Sequence, residues 1–137
     1  MTEPNQEHRS TLLIIEDDLV ALDSYARVLQ ASGYHVLTAE NVTTGLALIE
    51  STTPDAVLLD WHLPIFNGLV FLRQIRAAPH HADTPVAIVT GDYFLDESIE
   101  QELHRLGASV HFKPIWEADM LRIAADLVGG DDPSSSS

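Results

Sequence analysis

No cysteine occurs in the 137 residues, so neither a disulfide framework nor a thiolate metal centre is open to this chain. Lysine is nearly absent too. Lys113 is the only one, and with six arginines it faces twenty-one acidic residues, for a net charge of −14. A surface that coats nucleic-acid phosphates needs clustered Lys and Arg, so direct nucleic-acid binding is not expected. No apolar run approaches the roughly 20 residues of a membrane span. The first ten residues are polar and hold no apolar signal-peptide centre, so a cytoplasmic location is expected. What is present is apolar side chain, at 45% of the sequence, which rules against global disorder. Most of the acidity reads as a solvated face, the remainder as charge that helps choose a partner.

The apolar residues fall into strand and helix patterns repeated five times. Strands are expected at 11–16, 34–39, 55–60, 85–90 and 109–113. Several are continuous apolar runs, as strands become when helices cover both faces of a sheet. Between them lie helical spacings. Leu22, Tyr25/Ala26 and Leu29 form one stripe ended by Gly33. Asn41 caps a second helix with Val42, Leu46 and Ile49. A third runs from about Asn67 to Pro79, and a fourth carries Leu95, Ile99, Leu103 and Leu106 before Gly107. A fifth starts at Glu117 and ends at Gly129-Gly130. Such alternation predicts an α/β fold with a parallel sheet. Right-handed crossovers restrict it to a few doubly wound orders. One domain is expected over 11–128, with disordered tails at 1–10 and 129–137.

Four chemically distinct groups end these strands. Glu16-Asp17-Asp18 follows Leu12 to Ile15, Asp60 follows Ala56 to Leu59, Thr90 follows Val86 to Val89, and Lys113 follows Val110 to Phe112. Parallel strands carry all four to one rim, where open α/β sheets bind ligands. Carboxylates gathered there without counter-charge would repel and raise one another's pKa. A Mg²⁺ ion, which takes oxygen ligands, resolves the conflict, and Lys113 offers a point charge for phosphate oxygens.

Taken together, Ile14-Ile15-Glu16-Asp17-Asp18, Leu58-Leu59-Asp60-Trp61-His62-Leu63-Pro64 with Asn67-Gly68, Val89-Thr90-Gly91 and Phe112-Lys113-Pro114 resemble the motifs of a response-regulator receiver domain. The resemblance covers about 11–128 and implies a flavodoxin-like five-stranded parallel sheet of order 2-1-3-4-5 with helices on both faces. It implies that Asp60 is the phosphoacceptor of a histidine-to-aspartate relay. Asp17 is then the direct Mg²⁺ ligand (Mn²⁺ being a possible substitute), and Glu16 the second acid. The backbone carbonyl of His62 takes the remaining ligand position. Thr90 matches the switch hydroxyl and Lys113 its partner at the phosphoryl group, with Lys113-Pro114 at the family's cis peptide. His62 and Asp92 match the positions that tune the lifetime of the phosphorylated state. Asp18 falls outside the acidic pair and reads as a helix cap. The implied partners are a sensor histidine kinase or a histidine phosphotransfer protein.

Some features depart from that pattern. The switch aromatic expected three residues before the lysine is Val110, and Phe112 is expected to pack in the core. Thr90-Gly91-Asp92 resembles receivers attached to hybrid sensor kinases. Trp61 is expected at the pocket mouth, Trp116 near the last helix, and Tyr93-Phe94-Leu95 at the start of the fourth helix. His8, His35, His80, His81, His104 and His111 lack helical metal spacing, and His80-His81 reads as loop. Two rival functions are a Mg²⁺-dependent phosphohydrolase with an aspartate nucleophile and a degenerate receiver that only binds. The haloacid dehalogenase type of hydrolase wants a second acid two residues past the nucleophile, where this chain has His62, and a cap segment that it lacks. Retention of every phosphorylation residue argues against the degenerate receiver.

Overall fold

A computed structural model describes residues 9–63, 67–92 and 95–129. Strands β1 (Thr11–Ile15), β2 (His35–Ala39), β3 (Ala56–Asp60), β4 (Val86–Thr90) and β5 (Ala108–Phe112) alternate with helices. These are α1 (Leu19–Ala31), α2 (Val42–Thr52), α3 (Gly68–Ala77), α4 (Glu97–Arg105) and α5 (Glu117–Gly129). The sheet is wholly parallel in the order β2-β1-β3-β4-β5. Among the described residues no helix is long and apolar enough to cross a membrane.

Both faces of the strands are apolar because each packs a helical layer, and period-two alternation sorts the side chains between them. Leu13, Ile15, Val57, Leu59, Val86 and Ile88 pack with Ile49 of α2, Phe71, Leu72 and Ile75 of α3, and Leu103 of α4. Leu12, Ile14, Leu58, Ala87 and Val89 pack with Leu22 and Leu29 of α1 and with Met120 and Ile123 of α5. The first layer is tight around β1. A Cβ on Gly45 would lie 2.5 Å from Cδ1 of Ile15 and 3.5 Å from the Phe71 ring.

Helix starts follow local chemistry. Asp18 accepts from Val20 and Ala21 N–H, Asn41 from Thr44 N–H, and Asn67 from Leu69 and Val70 N–H. Gly33 and Gly107, at φ of 100° and 79°, supply the left-handed turns after α1 and α4.

Several sequence expectations need correction. β1 closes at Ile15, although Glu16 N–H still donates to the Ala39 carbonyl. The fourth helix begins at Glu97 with Asp96 as its cap, so Leu95 precedes it; Tyr93 and Phe94 lie outside the described residues. Ser10 is tied to the sheet by the His35 N–H, and Gly129 ends α5, so neither belongs to a tail. The remainder of both expected tails lies outside the described residues, apart from Arg9. Trp61 is buried against the α3 layer rather than at a mouth, while Trp116 is 68% exposed. His81 is buried within a short 3-10 turn, Pro79–His81, with Nε2 3.7 Å from Glu50. Phe112 is 37% exposed, not core. It shares its parity with Val110, so alternation sends both to one face of the sheet.

Candidate functional site

Register decides which side chains meet at the rim. Ile14 pairs with Leu58 and Ile15 with Leu59, so the next step brings Glu16 level with Asp60. Both continue the rows that face α1 and α5. Asp60 pairs with Val89, which sets Thr90 one residue beyond it, and Thr90 pairs with Phe112, which sets Lys113 beyond that. The result is a cluster in which carboxylate oxygens of Glu16, Asp17 and Asp60 lie within 4.8 Å of one another. It is the single acidic or histidine cluster of that tightness among the described residues. Lys113 Nζ lies 3.3 Å from Asp60 Oδ1 and 3.5 Å from Glu16 Oε1.

The electrostatics follow from burial. Glu16 is 2% exposed and Asp60 5%. Desolvation pushes Glu16 up to about 7, assisted by the charge of Asp60, while the Asp18 N–H and Lys113 pull the other way. Desolvation also raises Asp60, against the opposing pull of Lys113. A side-chain hydrogen bond between the two carboxyls favours the proton on Glu16 and the charge on Asp60. For Lys113, burial acts to lower the pKa, but Glu16 and Asp60 outweigh it and the ammonium is held charged. A carboxylate beside a fixed ammonium can act as a nucleophile with its counter-charge in place.

The donor set also fits a hard divalent cation. It contains only oxygen, has one exposed member in Asp17 through which hydration water can remain, and carries more negative charge than one lysine offsets. Asp18, by contrast, turns away to cap α1, and its own N–H donates to Glu16 Oε2 at 3.2 Å. The acidic triplet is thereby split between site and scaffold.

Thr90 is fully buried. Its hydroxyl accepts from the Asp92 N–H at 2.9 Å, and its carbonyl accepts from the Lys113 N–H at 2.8 Å. The Lys113–Pro114 peptide is cis. His62 is exposed, two residues past Asp60, and Val110 is half-buried beside Ile88. Pro64 lies outside the described residues. Sequence reasoning missed one neighbour. Tyr25, read there as core stripe, is half-buried on α1, and its phenol is raised by desolvation with Lys113, Glu16 and Asp60 in its field. Helical spacing marks it as inward-facing but gives no sign that its outer end approaches the rim.

Comparison with known proteins points the same way. The family described as the response regulator receiver domain matches residues 12–125. The protein PilH of Pseudomonas aeruginosa is 35% identical over 121 residues, covering 87% of this chain and 98% of PilH. The phosphate regulon transcriptional regulatory protein PhoB of the same organism is 32% identical over 90 residues, which is 66% of this chain and 39% of PhoB. The chain thus spans well under half the length of that relative. A solved CheY-like response regulator receiver domain protein from Methanospirillum hungatei superposes with a TM-score of 0.81 at 27% identity, covering 92% of this chain and 98% of that one.

Proposed function

Because the chain belongs to the response-regulator receiver family, we propose that it accepts a phosphoryl group on Asp60 and thereby switches its protein contacts. The observation that carries this reading is the placement of Lys113 Nζ 3.3 Å from Asp60 Oδ1, with Glu16 and Asp17 gathered beside them. The donor is a phosphohistidine on a sensor histidine kinase or a histidine phosphotransfer protein. An Asp60 oxygen attacks phosphorus, the P–N bond breaks, and the imidazole leaves with its electron pair and takes a proton. The product is an acyl phosphate. Little covalent work falls to other side chains, so the catalysis is positioning and charge neutralisation.

Glu16, Asp17, Asp60 and the His62 carbonyl would hold Mg²⁺, or Mn²⁺ in its place. Bound there, the cation supplies positive charge for the phosphoryl oxygens. Lys113 supplies the second positive charge, and Thr90 the hydroxyl that turns to the phosphoryl group. Hydrolysis of the product by in-line water resets the site, and His62 and Asp92 set its rate from either side of the approach. The activity is thus confined to the chain's own phosphorylation and dephosphorylation. The net charge of −14 supports a protein partner over nucleic acid.

Intact mass after exposure to a small phosphodonor with Mg²⁺ tests the proposal. The wild type gains one phosphoryl mass and Asp60→Asn gains none. No gain in the wild type would overturn the reading.

A further inference from the structure

Three arginines of this strongly acidic chain stand against carboxylates: Arg27 with Asp23, Arg73 with Glu102 and Arg122 with Asp119. Arg76 and Arg105 make no ion pair among the described residues. Both line one pocket of about 450 Å³, together with Asp83, Pro85 and Gly107. It lies where β4 and β5 begin, at the rim opposite Asp60. Arg76, half-buried at the end of α3, is held by neutral groups. Its Nε donates to the Leu106 carbonyl at 2.7 Å and its Nη1 to the His81 carbonyl at 3.2 Å. Nη2 lies beside Gly107, where an added Cβ would stand 3.7 Å from it. Burial draws this guanidinium below its usual pKa, and the charge of Asp83 opposes that from beyond ion-pair distance. Arg105 is exposed in the last turn of α4. Glu102, one turn back, has both carboxylate oxygens engaged by Arg73.

We propose that this pocket binds a phosphoryl group, free or carried on a small organic molecule, between Arg76 and Arg105. The inference is independent of the phosphoacceptor reading of Asp60, which sits at the other end of the sheet. Arg76 has given up water without gaining an anion, so an oxyanion placed there makes charge-assisted hydrogen bonds to a group already partly desolvated. The bonds to two carbonyls fix the guanidinium plane, which leaves its outer donors preorganised for a ligand. The two forks come from different elements, α3 and the end of α4. A tetrahedral dianion has oxygens for both, whereas a planar monoanionic carboxylate is matched by a single fork. The volume exceeds that of one phosphoryl group and so has room for an organic carrier. The net charge of −14 opposes any anion from afar. At about 0.15 M salt that opposition reaches only roughly 8 Å, so the two guanidiniums set the local field. Asp83, on the pocket wall, works against the ligand.

The test titrates inorganic phosphate, and separately glycerol 3-phosphate, into the ¹⁵N-labelled full chain without Mg²⁺, at constant ionic strength. The amide resonances of Ala82 and Gly107 and the Nε–H of Arg76 shift and saturate, while the Thr90 and Lys113 amides at the opposite rim stay in place. Tighter binding of glycerol 3-phosphate assigns the site to a carried phosphoryl group, and equal binding assigns it to free phosphate. Arg105→Gln weakens either probe by about tenfold, the effect of one charge-assisted hydrogen bond. That variant keeps the fold, because Arg105 is exposed and holds no carbonyl, whereas Arg76→Gln also cuts the bonds to Leu106 and His81. Asp83→Asn strengthens binding. A shift that does not saturate, one confined to Thr90 and Lys113, or one that acetate matches overturns the inference. Unchanged affinity in Arg105→Gln overturns it as well.

Discussion

The backbone N–H of Lys113 donates to the carbonyl of Thr90 across 2.8 Å. One hydrogen bond therefore joins the residue whose ammonium neutralises Asp60 to the residue whose hydroxyl is proposed to follow what Asp60 carries. Because the bond is made by main chain, it survives substitution of either side chain, and each can be tested separately.

Lys113→Met keeps the stem and the main-chain bond but removes the ammonium 3.3 Å from Asp60. Loss of one preorganised charge at a reacting phosphoryl group slows transfer by about 100-fold or more. The initial rate of mass gain measures this, with circular dichroism to check that the fold is kept. A rate like that of the wild type would show that Lys113 does not act at the phosphoryl group.

Stability of the metal-free protein should fall as pH rises from about 4.5 towards 7, as far as this site controls it. Glu16 is moved from an ordinary 4.5 to about 7 by desolvation, so the folded state keeps a proton that the unfolded chain releases. Its contribution is fully present below the unfolded value and is lost as pH passes the folded one. Thermal unfolding across that window should show a shallower loss in Glu16→Gln. Added Mg²⁺ should raise Tm more at about pH 7.5 than at about pH 5.5, since at the lower pH it must displace a proton. An equal rise at both would contradict the Glu16 assignment.

Asp17 and Asp18 should separate cleanly despite being adjacent. Asp18→Ala removes the acceptor for Val20 and Ala21 N–H and should lower stability by about 1 kcal/mol while Mg²⁺-dependent mass gain persists. Asp17→Ala should do the reverse, weakening Mg²⁺ dependence with little change in the chemical denaturation midpoint. Exchange of these two phenotypes would mean that the acidic pair is shifted by one residue.

Gly45→Ala should destabilise the fold even though alanine is the better helix former. The new Cβ would fall 2.5 Å from Cδ1 of fully buried Ile15, with Phe71 behind it. Overpacking of about 1–3 kcal/mol outweighs a helix-propensity gain of up to about 1 kcal/mol. Urea denaturation reads the difference, and a stabilised variant would show that α2 can move off the sheet.

The parts of this protein that depend on near neighbours were legible in its sequence. Asp18, Asn41 and Asn67 cap helices through bonds to N–H groups two or three residues away, and a parallel sheet follows from apolar runs alternating with helical spacing. The rim cluster was legible for the same reason, since strand ends in such a sheet share one edge whatever the packing beneath. Residues whose fate depends on distant segments were not. Nothing near Trp61 reveals that α3 covers it, nothing near Trp116 leaves it bare, and His81 is buried by a turn lying against Glu50. Phe112 shows the division most clearly. Its identity and its parity with Val110 are written in the chain, but its pairing with Thr90 depends on the register of two strands far apart in sequence. Its exposure depends on β5 being the edge. Sequence by itself determined the chemistry of the site, because strand ends and side-chain types suffice for that. Only the tertiary structure decided which group stands beside Thr90, because register and edges exist only once the strands have paired.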